Sequence, residues 1–132
     1  MLDRDENRKV REATHAGIFY PEDPVELRSL IGQLIEEAPD PGIGSALAIV
    51  SPHAGYSWAG DLSALAWKAT IGRTIDRIVI LSPRHRSTDT AIFLPESVLF
   101  KTPIGAMPVD GSLVEELRDC GTLYLMSDIP HL

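Results

Sequence analysis

Two short apolar runs limit what this chain can fold into more than any other feature. Residues 46–50 (Ala-Leu-Ala-Ile-Val) and 77–81 (Arg-Ile-Val-Ile-Leu) show no polar alternation and are bounded by chain breakers. Such runs read as strands buried on both faces, as in the parallel sheets of α/β proteins. A helix expected over about 59–69, with Leu62, Leu65 and Ala66 inward, separates them. Strand, helix, strand at this spacing is a βαβ unit with parallel strands and a right-handed crossover. The expected fold is α/β, a mostly parallel sheet with flanking helices.

The same runs carry the chemistry. Each leads into Ser-Pro, and a histidine follows closely: Ser51-Pro52-His53 and Ser82-Pro83-Arg84-His85. Parallel strands would bring both histidines to the carboxyl edge of the sheet, where open α/β sheets bind ligands. Two neutral imidazoles there suit a divalent transition metal. Gly55 permits close backbone approach or an unusual turn beside His53. The Tyr56 phenol is a candidate proton or hydrogen-bond donor to a substrate, and Arg84 and Arg86 offer charge to an anion. Against this, a histidine after a strand is commonly a surface or capping residue. His15, in a pre-helical loop, and His131, near the last residue, are weaker candidates. Cys120 reads as a structural thiol late in a helix, and Asp76 and Asp89 as caps or solvated charges. The chain carries no G-x-S-x-G elbow, phosphate-binding loop, H-E-x-x-H or C-x-x-C pair.

Composition narrows the partners. The 132 residues suit one domain, with 19 acidic and 12 basic side chains and a net charge of −7. Such a charge repels a phosphate backbone, so nucleic acid is not an expected partner. No apolar run approaches the roughly 20 residues of a membrane helix, the N-terminus lacks a signal-peptide core, and one cysteine fits a reducing, cytoplasmic compartment. Residues 1–12 read as a charged tail. Asp23-Pro24-Val25-Glu26 reads as a helix start, with Val25, Leu27, Leu30, Ile31, Leu34, Ile35 and Ala38 facing a core until Pro39-Asp40-Pro41-Gly42 stops it. Residues 91–94 and 98–101 read as an irregular hairpin, 110–120 as a helix and 123–126 as a further strand.

Five elements, in order, resemble the Memo family, named in prokaryotes AmmeMemoRadiSam system protein B. They are Val10-Arg11-Glu12 with Ala16-Gly17-Ile18-Phe19-Tyr20-Pro21, then Pro52-His53-Ala54-Gly55-Tyr56, Ser82-Pro83-Arg84-His85, Lys101-Thr102-Pro103-Ile104-Gly105 and Val109-Asp110. The resemblance covers the chain from Val10 onward. It departs from the family at Ser82, where glycine is usual, and at Ala59-Gly60, where Ser-Gly is usual. The resemblance implies a fold similar to class III extradiol dioxygenases. It also implies a pocket in which His53 and His85 are metal ligands, with Fe(II) or Cu proposed and a redox or oxygenase-like role. Residues 128–132 resemble the start of an Asp…His…Glu-His-Ser block, so His131 matches a family histidine. On this reading residues 13–132 form a Memo-like α/β domain, truncated at the C-terminus, because family members are about twice as long. Three functions stay open: a metal-dependent redox protein with Tyr56 as a catalytic donor, a non-catalytic module binding an anionic peptide or small molecule through Gly55 and Arg84, and a truncated chain with a remnant site. The expected partners are accordingly a small molecule or peptide, and a complementary C-terminal half or a homodimer.

Overall fold

A computed structural model describes residues 9–44, 46–83, 85, 91–121 and 124–128. The chain divides into two compact units, residues 15–79 and the segments on either side of them.

In the unit of residues 15–79, local chemistry starts each helix. Helix α1 (Pro24–Glu37) begins where Asp23, in an extended conformation, accepts hydrogen bonds at Oδ1 from the backbone N–H of Val25 (2.9 Å) and of Glu26 (2.8 Å). Such a cap contributes about 1 kcal/mol, and Pro24 enters the first turn without leaving a donor idle. The helix ends because Ala38 precedes Pro39, which excludes helical backbone at the residue before it; Ala38 takes φ −60° and ψ 134°. Helix α2 (Tyr56–Lys68) packs on α1. At Gly60 the two approach so closely that a Cβ would lie 3.0 Å from Leu34 Cδ1. Lys68, in the last turn of α2, donates to the carbonyl of Ala38 and so serves the open C-terminal end of α1. Among the described residues of this unit, the buried ones are Leu27, Ala38, Gly55, Ala59, Gly60 and Ala64.

The inward face of α2 is therefore Ala59-Gly60 and Ala64, and Leu62 is 62% exposed. Small residues win that face because helix-to-helix approach at Gly60 leaves no room for leucine. Helix α2 also starts three residues ahead of expectation, at Tyr56 with Gly55 as N-cap. Val25, on α1, faces solvent.

The other unit holds the sheets. Strand β1 (Val10–Arg11) lies parallel to β3 (Leu99–Thr102), and β3 runs antiparallel to β4 (Gly105–Pro108) through the turn at Pro103-Ile104. Thr102 Oγ1 donates to the Gly105 carbonyl (2.9 Å), and Gly105 takes φ +155°, a conformation that disfavours a side chain. The Arg11 guanidinium lies 4.8 Å from the Phe100 ring centre, and Lys101 pairs with Glu12 at 2.7 Å. A separate pair, β2 (Ile92–Leu94) and β5 (Tyr124–Met126), is parallel in the register Ile92 to Tyr124. Helix α3 (Gly111–Asp119) packs on β5; its N-cap Asp110 accepts from the Leu113 N–H at 3.1 Å. The architecture is thus α/β, with three helices and small sheets among the described residues, one sheet parallel and one mixed. Val10 and Arg11, read as part of a charged tail, form a strand; residues 1–8 lie outside the described residues. Residues 91–94 and 98–101 do not form a hairpin, since β2 and β3 belong to different sheets.

The largest departure from expectation concerns residues 46–50 and 77–81. Neither run forms a strand, and their side chains stand open: Leu47 is fully exposed, Val50 is 96% exposed and Leu81 89%. A strand needs a hydrogen-bonding neighbour and cover for its faces, and neither run pairs with any strand among the described residues. Apolar character is necessary for a buried strand and insufficient for one. Among the described residues, no helix is long and apolar enough to cross a membrane.

Candidate functional site

The segment 51–56 keeps its histidine exposed, its glycine buried and its tyrosine half-buried. His53 is exposed, two residues before the N-cap of α2. Gly55 is buried against the loop of residues 15–20: a Cβ there would lie 3.3 Å from the Phe19 carbonyl oxygen and 3.4 Å from Phe19 Cα. Any side chain would press on that backbone, so glycine is required for close approach rather than for a left-handed turn. The Tyr56 N–H, the first amide of α2, donates to the Phe19 carbonyl at 2.8 Å.

That loop is a tight knot. Gly17 takes φ +77° and donates to the Tyr20 carbonyl at 2.8 Å, while the N–H groups of Ile18 and Phe19 both donate to the His15 carbonyl. The His15 and Phe19 rings stack at 5.0 Å with 12° between planes. Tyr20 places its ring 5.9 Å from that of Tyr56. The expectation for His15, a residue of a pre-helical loop, does not include this support. The available signal was the aromatic pair Phe19-Tyr20 between Gly17 and Pro21, a composition suited to a folded turn.

Tyr56 is half-buried, and burial pushes its phenol above the ordinary value of 10.0, with Tyr20 adding to the rise. At neutral pH it is a protonated donor. The folded state thus favours the neutral form: its stabilisation is complete below about 10 and is lost as pH rises through the folded pKa. Replacing Tyr56 with Phe is expected to remove a phenolate absorbance step above pH 10.0. Loss of a step at the ordinary value of 10.0, rather than above it, would show that the ring is solvated.

His85 is exposed and belongs to the unit outside residues 15–79, so His53 and His85 sit on different units. Arg84, Arg86, Asp89 and His131 lie outside the described residues, and Asp76 is exposed. Among the described residues no three His, Cys, Asp or Glu side chains form a group able to hold a metal ion. Cys120 is exposed at the C-cap of α3, where its N–H donates to the Glu116 and Leu117 carbonyls; it is no buried thiol. The capping geometry places it past the last helical turn, out of reach of a core.

Residues 11–131 match the family model described as Memo-like protein. Among curated proteins, the chain is 35% identical over 109 residues to the Protein memo-1 homolog of Caenorhabditis elegans, covering 83% of this chain and 31% of the relative. It is 35% identical over 121 residues to a MEMO1 family protein of Aeropyrum pernix, covering 82% of this chain and 43% of the relative. A MEMO1 family protein of Methanothermobacter thermautotrophicus is 31% identical over 125 residues, covering 88% and 45%. The chain spans less than half the length of each of these relatives.

Proposed function

The chain belongs to the Memo family, and from that premise we propose that it presents the imidazoles of His53 and His85 as donors to an iron or copper ion in a redox or oxygenase-like role. The observation that carries this reading is the segment 51–56. It holds His53 in solvent beside a buried glycine and a protonated phenol, on a backbone pinned by the Phe19 carbonyl. A fold of the class III extradiol dioxygenase kind and a cytoplasmic location belong to the same reading.

The donor set decides how far it extends. Neutral imidazoles suit Fe(II) and Cu, but iron of the facial-triad type also takes a carboxylate. The described residues offer no group of three, so a third donor would come from His131, solvent or another polypeptide. The residues in hand do not complete such a centre, and no redox step is assigned to them. Their own contribution is simpler: His53 offers a ring nitrogen, and Tyr56 donates a hydrogen bond to whatever binds beside it.

A second reading is favoured by the start of α2. Its first turn carries no acidic side chain and Gly55 brings no capping oxygen, so the positive end of the helix dipole lies next to His53 and the Tyr56 phenol. That combination suits recognition of an anionic peptide or small molecule without turnover, with Gly55 at this locus and Arg84, outside the described residues, as a further candidate.

Anaerobic calorimetric titration with Fe(II) and with Cu separates the two. Stoichiometric binding by the parent chain, abolished in a His53→Ala, His85→Ala double variant, is expected under the metal reading. Equal heats from both proteins, or none from either, would remove the metal reading and leave anion recognition.

A further inference from the structure

We propose that the amides of Glu96 and Ser97, with the Ser97 hydroxyl, form a binding site for a small carboxylate, which Asp128 occupies as a built-in, displaceable ligand. The inference is independent of any metal and of segment 51–56.

The site lies in the unit that holds the sheets, in the connection between β2 and β3. Two successive amides converge on one oxygen: the N–H groups of Glu96 (2.9 Å) and Ser97 (3.1 Å) both donate to Asp128 Oδ1. The Ser97 hydroxyl donates to Oδ2 at 2.8 Å. Successive N–H groups aimed at one point make a concavity for an anion. Three donors spread over two oxygens select a carboxylate, because a halide offers one acceptor atom and a neutral carbonyl no charge. Ser97 is 3% exposed, so protein walls the site and limits its occupant to the size of formate or acetate.

Lys9 supplies the electrostatics. Its ammonium pairs with Glu96 Oε2 at 2.5 Å, and its pKa is raised by that hydrogen bond, by the Glu96 charge and by the charge of Asp128. The side-chain charge of Glu96 is thereby offset beside its own amide, and an anion is tolerated there. The donors are also held independently of their present ligand. Val98, next in the chain, donates its N–H to the Lys9 carbonyl and accepts from the Val109 N–H, each at 2.9 Å. Asp128 comes from the chain after β5, beside Ser127, whose N–H donates to the Leu94 carbonyl. When residues 127–128 lift away, the donors keep their places. A free carboxylate then competes with the tethered one, and its apparent affinity falls by the fraction of molecules in which Asp128 has left.

The test titrates sodium formate, against sodium chloride at matched ionic strength, into the full chain and into its Asp128→Ala variant, where formate replaces the group removed. NMR shifts and hydrogen exchange of the Ser97 and Ser127 amides are the readouts. In the parent chain, formate is expected to move the Ser97 resonance saturably and to speed exchange at Ser127 while Ser97 stays protected. In Asp128→Ala, formate is expected to bind about tenfold or more tightly than in the parent and to slow Ser97 exchange by about tenfold or more. Adding Lys9→Met is expected to weaken that binding by about threefold. Asp128→Asn, which keeps the shape of the side chain, serves if the alanine variant does not fold: formate is expected to displace its amide and to bind more tightly than to the parent. The proposal is overturned if chloride reproduces the shifts, if no saturable response appears at Ser97, or if formate binds the parent and the Asp128 variants equally.

Discussion

Asp128→Ala is expected to cost about 3 kcal/mol, among the largest single losses in the unit that holds the sheets. The Asp128 carboxylate accepts from the Glu96 N–H (2.9 Å) and the Ser97 N–H (3.1 Å) through Oδ1, and from the Ser97 hydroxyl (2.8 Å) through Oδ2. Ser97 is 3% exposed, so removing the carboxylate strands buried donors with no water to replace it. These bonds span more than 30 residues of sequence and fasten the chain after β5 to the connection between β2 and β3. Beside them, the Ser127 N–H donates to the Leu94 carbonyl at 3.0 Å. Asp128→Asn keeps one acceptor and should lose about half as much. Urea denaturation with exchange of the Ser97 amide checks both variants, and a loss under about 0.5 kcal/mol in Asp128→Ala would show that the clamp is not formed in solution. Asp128 opens the stretch that resembles an Asp…His…Glu-His-Ser block, and the geometry gives it a structural duty.

Leu27→Ala should cost the unit of residues 15–79 about 2–4 kcal/mol, while Leu47→Ala should change its stability by less than about 0.5 kcal/mol. Leu27 is 3% exposed on α1, in a unit with few buried apolar side chains, and truncation leaves a cavity that the packed helices fill poorly. Leu47 is fully exposed and loses nothing on truncation. The comparison is informative because both residues are leucines in apolar stretches of one unit. Hydrogen exchange in α1 and α2 reads it directly. Comparable losses in the two variants would mean that residues 46–50 are packed in solution.

Where the sequence is legible here, the interactions are local. Asp23-Pro24-Val25-Glu26 announces α1 because the cap and the amides it serves lie within three residues. Asp110 and Leu113 announce α3 in the same way. The motif residues 52–56 stand out in one dimension, and the fold uses them as the start of α2. The exposed face of α2 was misjudged because hydrophobic spacing does not reveal that Gly60 brings Leu34 within reach. The partnership of Phe19 with Tyr56 joins residues 37 positions apart, and nothing local reports it.

Sheet formation marks the boundary between the two kinds of information. Residues 92–94 and 124–126 were each recognisable as extended, yet their parallel register, Ile92 to Tyr124, depends on a crossover through two other strands and a helix. Residues 46–50 and 77–81 look still more strand-like, and they join no sheet among the described residues. Caps, turns and family motifs were set by the order of residues, since their energies come from neighbours along the chain. Strand pairing, the inward face of α2, the burial that raises the Tyr56 phenol and the Asp128 clamp were decided by tertiary structure, because each depends on groups brought together from distant parts of the chain.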